Sequence, residues 1–258
     1  MEIIIGIMIP FLATALGSAF VFFTKKELDK KVMNGFLSFA AGIMVSASIF
    51  SLLLPAMEQA ESNGDHALLP LSIGFLLGGL FLMCADHLLP HLHPQTNTIE
   101  GMKSKMKRTT MLVFAVTLHN VPEGMATGLL FALAMQSQDA LLLSSAFALA
   151  IGIGLQNVPE GAAVALPLKR EGLSNQKAFF YGSLSGLVEP IASLIALVFA
   201  SFITAYLPWL LSFAAGAMIY VVVEELIPEA HLDEHSHLST VVFMIGFTMM
   251  MILDIALG

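Results

Sequence analysis

The chain has 258 residues, of which 57% are hydrophobic and 12% are charged. Soluble domains carry about 25% charged residues, so this composition excludes a water-soluble particle and indicates an integral membrane protein. The formal net charge is −8, with 11 basic and 19 acidic residues, which argues against the clustered basic surface that nucleic-acid binding needs. The single cysteine, Cys84, excludes an intrachain disulfide and a structural metal cage built from thiolates.

A helix needs about 20 largely apolar residues to cross a bilayer, and eight stretches of the chain meet that length. They are residues 3–23, 33–57, 67–89, 109–135, 140–168, 176–200, 203–227 and 238–257. Between the sixth and seventh stretches, Pro208 and its aromatic neighbours predict an interfacial turn. The sequence therefore predicts an all-α membrane protein with eight transmembrane helices, in which residues 1–258 form a single domain.

The basic residues are distributed unevenly among the loops. All 11 lysines and arginines fall in the loops between the first and second, the third and fourth, or the fifth and sixth predicted spans, or, for Lys177, in the first turn of the sixth span beside its loop. The other loops contain none of them. By the positive-inside rule the basic loops face the cytoplasm, and both termini face away from it.

Two pairs of spans carry matching segments. The fourth span contains LHNVPEG at 118–124 and the fifth contains LQNVPEG at 155–161, while FAAG occurs in the second span at 39–42 and in the seventh at 213–216. The members of each pair run in opposite directions in the predicted topology. This pattern is typical of an inverted repeat, which in transporters puts the substrate site near the middle of the membrane between the two halves.

Three carboxylates, Glu123, Glu160 and Glu189, lie inside the predicted spans. Each would cost at least roughly 2.5–3.5 kcal/mol if it were ionised at the bilayer centre without compensation. No span interior contains a lysine or arginine, so only protons or an added cation can neutralise these groups. The structural alternative, a protonated glutamate bonded to a backbone carbonyl, explains one such residue better than it explains a duplicated polar set.

The residues beside these carboxylates favour a metal ion. His119 and Glu123 are four residues apart, as are Gln156 and Glu160, so each pair shares one face of a helix. The proline that precedes each of these two glutamates frees a backbone carbonyl one turn earlier. Imidazole, carboxylate and amide oxygen ligands suit borderline divalent cations such as Zn²⁺. Without thiolates or three histidines, the predicted site is one that can also release its ion.

At these residues the chain resembles the ZIP (Zrt/Irt-like) family of divalent-metal transporters, and in particular its bacterial GufA-like branch. The resemblance covers essentially the whole chain and rests on the FAAG segment of the second span, the paired PEG motifs, GLVEP at 186–190, EELIPEAH at 224–231 and LDIALG at 253–258. It implies a ZIP-type bundle of eight helices with a two-metal site. The implied cargo, which moves into the cytoplasm, is Zn²⁺, with Cd²⁺, Fe²⁺ and Mn²⁺ as alternatives, and no prosthetic group is implied.

The resemblance also implies which residues bind metal. By matching position, one metal site would consist of Met44, His119, Glu123, Gln156 and Glu160, and an adjoining site of Asn120, Glu123, Asn157, Glu160 and Glu189. Glu123 and Glu160 would bridge the two sites. Relatives often have aspartate at the position of Asn157, so the second site of this chain carries one negative charge fewer.

Further implications concern the setting of the protein. Family members are commonly homodimers, and an elevator-like movement of their metal-binding helices has been proposed. The compact chain points to a multi-pass protein of a bacterial inner membrane, with divalent metal ions and the lipid bilayer as its partners.

Weaker candidates for the transport path lie at the predicted cytoplasmic ends of the spans. They are Asp86, Glu224, Glu225 and His231. The simpler interpretation is that they are interfacial charges at helix ends. The functional interpretation is an exit path in which carboxylates and imidazoles accept the released ion.

Other classes of function fit the sequence less well. A zinc protease of the HExxH type needs two histidine ligands, whereas His119 is the only histidine in a span interior, so the sequence predicts that the protein is not an enzyme. A proton- or sodium-coupled carrier of another small solute stays open as an alternative. So does a passive channel for divalent cations that uses the same ligands.

Overall fold

A computed structural model of the chain describes residues 1–23, 29–64, 66–88, 91–92, 99–100, 108–202, 204–230 and 237–257. Its α-helices are α1 (Glu2–Ser18), α2 (Phe20–Phe23), α3 (Lys30–Ala47), α4 (Leu54–Ser62), α5 (Leu68–Leu88), α6 (Arg108–Ser137), α7 (Ala140–Arg170), α8 (Asn175–Gly186), α9 (Val188–Phe202), α10 (Leu207–Val221), α11 (Ile227–Ala230) and α12 (His237–Leu257). Two strands of two residues each, β1 (His91–Leu92) and β2 (Ile99–Glu100), pair antiparallel. The described part of the chain is otherwise helical or in turns, as the composition predicts.

Seven helical segments are long and apolar enough to cross a membrane. They are Glu2–Phe23, Lys31–Ser62, Leu68–Leu88, Ala140–Arg170, Asn175–Ala200, Leu207–Leu226 and His237–Leu257. These segments match seven of the eight predicted spans. The remaining prediction, 109–135, falls within α6, which is helical but is not among the seven. Its polar residues His119, Asn120 and Glu123 lower its apolar content, and these are the residues for which a site is predicted.

Two of the long helices contain a π-helical segment. Ser48–Leu53 lies between α3 and α4, and Val222–Leu226 lies between α10 and α11. Each is followed by a proline, Pro55 or Pro228, which has no N–H to continue the α-helical ladder. Each also begins nine residues after the phenylalanine of a FAAG segment. The two matching sequence segments therefore share a matching irregularity of the backbone.

The long helices pack most extensively in four pairs: α1 with α7, α3 with α12, α5 with α10, and α6 with α9. Glycines let the paired backbones touch, because a Cβ at Gly161 would overlap the carbonyl of Thr14 and one at Gly246 would overlap the carbonyl of Phe39. Within a bilayer, helices associate through this kind of close packing, since lipid tails are as apolar as the side chains.

One contact relates two of the basic loops to each other. Lys169 at the end of α7 donates from Nζ to the carbonyl of Val21 in α2 at 2.8 Å, and Val21 and Leu168 belong to one small hydrophobic cluster. The chain after α2 and the chain after α7 therefore leave the bundle at the same end. This agrees with the prediction that the first and third basic loops lie on one side of the membrane.

The α5–α10 contact yields a stability prediction. A Cβ at Gly78 would overlap the carbonyl of Phe213, whereas a Cβ at the neighbouring Gly79 would meet only the carbonyl of Gly216 at 3.7 Å. Gly78→Ala is expected to destabilise the protein by about 1–3 kcal/mol, because the two backbones must move apart. Gly79→Ala is the matched control and is expected to be neutral or slightly stabilising. Thermal unfolding in detergent measures both, and equal midpoints would show that the close contact does not matter.

Candidate metal centre

The two PEG motifs lie inside the long helices α6 and α7, which pack against each other. A proline within each helix, Pro122 or Pro159, leaves a backbone carbonyl without its usual N–H donor. Gly124 follows in α6, and a Cβ there would overlap the backbone of Glu189 at the start of α9. Glycine at this position therefore lets α9 bring Glu189 against the motif of α6.

The structure gathers the three predicted intramembrane glutamates. Glu123 is 3% exposed and Glu189 is 0% exposed, while Glu160 is half-buried. The three side chains lie near enough for the charge of Glu123 to act on Glu189, and that of Glu160 to act on both. No lysine or arginine occurs between residues 109 and 168, or after residue 177. The centre therefore combines several acidic groups with an apolar surround.

Amide side chains form a hydrogen-bonded frame around these carboxylates. Gln156 donates from Nε2 to Oε1 of Glu123 at 2.6 Å, and Asn157 donates from Nδ2 to Oε1 of Glu189 at 2.8 Å. Asn120 donates from Nδ2 to the carbonyl of Ser185 at 3.3 Å. The amide nitrogens, which would repel a cation, are thus directed at carboxylates and at a backbone carbonyl.

The hydrogen bonds of this frame leave several acceptor oxygens of the same side chains without a partner. Five buried oxygens of this centre have no hydrogen-bond partner within the described residues: Oδ1 of Asn120, Oε2 of Glu123, Oε1 of Gln156, Oδ1 of Asn157 and Oε2 of Glu189. A buried acceptor without a partner costs about 1–3 kcal/mol, and more when it is charged. A divalent cation bound by these oxygens would remove that cost. The donor set, carboxylate and amide oxygen beside an imidazole, suits such an ion.

His119 makes a contact that the sequence did not predict. Its Nε2 lies 2.5 Å from Oε1 of Glu225, in the π-helical segment Val222–Leu226. Asp86 of α5 joins them, and one ligand atom from each of the three residues lies within 4.8 Å of the other two. The i, i+4 spacing predicted that His119 would act with Glu123, but tertiary packing brings its ring to residues from two other helices. His119 remains near enough to Glu160 to sense its charge.

The other predicted residues vary in their placement. Met44 is 2% exposed and packs in the main hydrophobic core, so its role as a ligand stays a prediction. Asp86 and Glu225, the weaker candidates, are buried beside His119, whereas Glu224 is exposed. His231 lies outside the described residues.

Two residues of α1 reach the centre although the sequence did not suggest them. The carbonyl of Pro10 accepts a hydrogen bond from Nδ2 of Asn157 at 3.3 Å, and Oγ1 of Thr14 lies 3.5 Å from Oε1 of Glu189. A threonine in an apolar span is common, so the only available signal was a proline four residues before a polar side chain. That pattern indicates a helix whose backbone hydrogen bonding is interrupted, but it does not predict which residue of another helix lies beside Thr14.

Comparison with known proteins gives a consistent result over the length of the chain. A family model described as "ZIP Zinc transporter" matches residues 97–254. The human protein named "Zinc transporter ZIP11" is 34% identical, over 100% of this chain and 97% of its own. "Zinc transporter GufA" of Myxococcus xanthus is 38% identical over 95% of both chains, and "Zinc transporter ZIPB" of Bordetella bronchiseptica is 38% identical over 99% of this chain and 81% of its own.

The cluster of Asp86, His119 and Glu225 yields a binding prediction. Glu225→Gln removes one charged ligand atom and is expected to weaken Cd²⁺ binding at this cluster by about tenfold or more. Glu224→Gln is the matched control, because it makes the same change at the adjacent, exposed position. Titration of the purified protein with Cd²⁺ measures both variants. Equal affinities in the two would remove the cluster from the list of metal sites.

Proposed function

Because the chain belongs to the ZIP zinc transporter family, we propose that it carries Zn²⁺ across the membrane into the cytoplasm through a metal centre between α6 and α7. The protein is a multi-pass membrane protein, and the relatives reported above are named as zinc transporters. The observation that carries the proposed mechanism is the set of five buried acceptor oxygens without partners, which lies on the motifs that define the resemblance.

The metal centre consists of two adjoining groups of ligands. The first group is Met44, His119, Glu123, Gln156 and Glu160, and the second is Asn120, Glu123, Asn157, Glu160 and Glu189. Glu123 and Glu160 belong to both groups. The electrostatic proximity of the three glutamates and the five unpartnered oxygens of the centre support this arrangement.

One side of the centre is formed by α6, which is an eighth transmembrane helix in this proposal. With 30 residues, α6 is about 45 Å long at 1.5 Å per residue, which exceeds the thickness of a bilayer core. Its residues Leu129 to Ala134 are buried, and it packs against α7, α9 and α10. The matched π-helical segments after the two FAAG motifs support an inverted repeat that relates the second span to the seventh.

The cluster of Asp86, His119 and Glu225 is the next metal-binding site on the transport path. His119 lies on α6, whereas Asp86 lies on α5 and Glu225 lies in the π-helical segment that follows α10. An imidazole shared by both metal sites lets an ion pass from α6 toward α5 and Glu225. The family resemblance implies that an elevator-like movement of the metal-binding helices accompanies this transfer.

Direction and assembly are part of the same proposal. The alternate basic loops favour a cytoplasmic end at the chain between α2 and α3. The family resemblance favours import toward that end. Outward-facing leucines and isoleucines of α5 and α12 contact lipid or a second copy of the chain. A homodimer in a bacterial inner membrane is the assembly that the resemblance favours.

The glutamates of the two PEG motifs are expected to be indispensable. Glu123→Gln and Glu160→Gln each remove a negative charge that both ligand groups share, so uptake of Zn²⁺ into proteoliposomes should fall by at least about tenfold. Glu61→Gln, an exposed position on α4, is the control and should keep the wild-type rate. Wild-type uptake in both motif variants would overturn the proposed function.

His119 is expected to contribute to the choice of metal. Imidazole favours Zn²⁺ over Mn²⁺, so His119→Ala should reduce Zn²⁺ uptake by a larger factor than Mn²⁺ uptake. His87→Ala is the control, because that side chain is exposed and its Nδ1 lies 2.9 Å from the carbonyl of Met83 one turn earlier. Uptake of the two metals is measured in the same vesicles. Equal losses for both metals would exclude His119 as a discriminating ligand.

A further inference from the structure

The two π-helical segments share their hydrogen bonding as well as their place in the sequence. The N–H of Leu54 donates to the carbonyl of Ile49, and the N–H of Ile227 donates to the carbonyl of Val222. Both bonds join residues five apart, whereas an α-helix joins residues four apart. Each bond starts at the residue immediately before a proline. The same wide turn therefore occurs at the same place in both helices.

The prolines give a physical reason for the wide turn. Pro228 has no N–H to donate to the carbonyl of Glu224, and in an α-helix its ring would collide with that carbonyl. Pro55 stands in the same relation to the carbonyl of Ser51. A π-helical turn just before the proline relieves the collision, because the extra residue widens the helix there. The α-helical register is therefore disfavoured at both places.

The register of each segment determines which side chains face inward. One extra residue offsets the following residues by up to about 100° around the helix axis and about 1.5 Å along it. Within Val222–Leu226, Glu225 is 6% exposed, whereas its neighbour Glu224 is exposed. Within Ser48–Leu53, Ser51 is 1% exposed. The wide turns therefore face Glu225 and Ser51 into the bundle.

Each of these two side chains contacts an ionisable residue of a helix that is distant in the sequence. Oε1 of Glu225 lies 2.5 Å from Nε2 of His119 in α6. Oγ of Ser51 donates to Oδ1 of Asp254 in α12 at 2.6 Å, and Asp254 is 9% exposed. The two segments thus make matching, largely buried contacts across the bundle.

The packing around the segments prevents α10 from rotating to restore its contact in another register. α10 packs closely against α5, where a Cβ at Gly216 would overlap the carbonyl of Phe75. The segments also pack crosswise, Ser48–Leu53 against α10 and Val222–Leu226 against α3. A change of register would therefore turn Glu225 relative to a fixed α10.

We propose that the proline after each π-helical segment is a positioning residue, which holds the wide turn and thereby directs one side chain across the bundle. Pro228 directs Glu225 at His119, and Pro55 directs Ser51 at the carboxylate of α12. The first half rests on the proposed function, because that contact belongs to the proposed metal cluster. The second half is independent of it, since it concerns a hydrogen bond within the protein.

The first test compares two backgrounds by Cd²⁺ titration of the purified full-length protein. Pro228→Ala restores the N–H and permits the α-helical register, which turns Glu225 away from His119. Glu225→Gln should weaken Cd²⁺ binding by about tenfold or more in the native sequence, but by less than about threefold in the Pro228→Ala background. An equal loss in both backgrounds would overturn the role of Pro228. If Pro228→Ala does not fold, Pro228→Gly, which restores the same N–H, takes its place.

Pro208→Ala is the matched control. Pro208 lies in the first turn of α10, where an N–H would have no helical partner in any case. Glu225→Gln should still cost about tenfold in this background. A reduced loss there as well would show that any proline substitution in the helix has this effect, and it would contradict the proposal.

The second test uses the hydrogen bond of Ser51 and needs no metal. Ser51→Ala leaves an oxygen of Asp254 without its donor and should lower the midpoint of thermal unfolding by roughly 2–4 °C. In the Pro55→Ala background the same change should lower it by less than about 1 °C, because Ser51 is already turned away. Equal shifts in the two backgrounds would contradict the role of Pro55.

The outcomes separate this proposal from the proposed function. If Glu225→Gln leaves Cd²⁺ binding of the native sequence unchanged, the cluster is not a metal site, and the comparison at Ser51 decides the proposal. If Glu225→Gln weakens binding equally with and without Pro228, the metal site stands and the positioning role is wrong.

Discussion

Acidic side chains buried among apolar helices, without a basic side chain to balance them, are the constraint on which the rest of this molecule depends. Glu123 and Glu189 are almost fully buried, and the chain has no lysine or arginine between residues 109 and 168. Carboxylates in such surroundings are tolerated when a counter-charge reaches them. Under the proposed function the transported cation supplies that charge, so the feature that is costly in the empty protein is the one proposed to bind substrate.

The close packing of the helices positions the side chains of this centre. Gly124 brings the backbone of Glu189 against α6, and Gly161 brings α1 against α7 at the level of Thr14. The amide groups of Gln156 and Asn157 then hold the carboxylates by one oxygen each. Close helix contacts, and not a large apolar core alone, determine the positions of these polar side chains, as expected where lipid removes the usual hydrophobic driving force.

The sequence predicted the helices and the polar centre far better than it predicted contacts between distant helices. Hydropathy predicted eight spans, of which seven match candidate spans of the structure, and the duplicated motifs drew attention to Glu123 and Glu160. The contact of His119 with Glu225 was missed, because helical spacing describes neighbours on one helix and not across the bundle. Thr14 was missed for a similar reason: it looks like any polar residue in an apolar span until α1 is packed on α7.

A Cd²⁺ anomalous-difference map of the crystallised protein tests the central claim most directly. The account predicts a peak between α6 and α7, within bonding distance of carboxylate oxygens from both Glu123 and Glu160. A map without density there, from a structure in which these two side chains point apart and toward lipid, would contradict it.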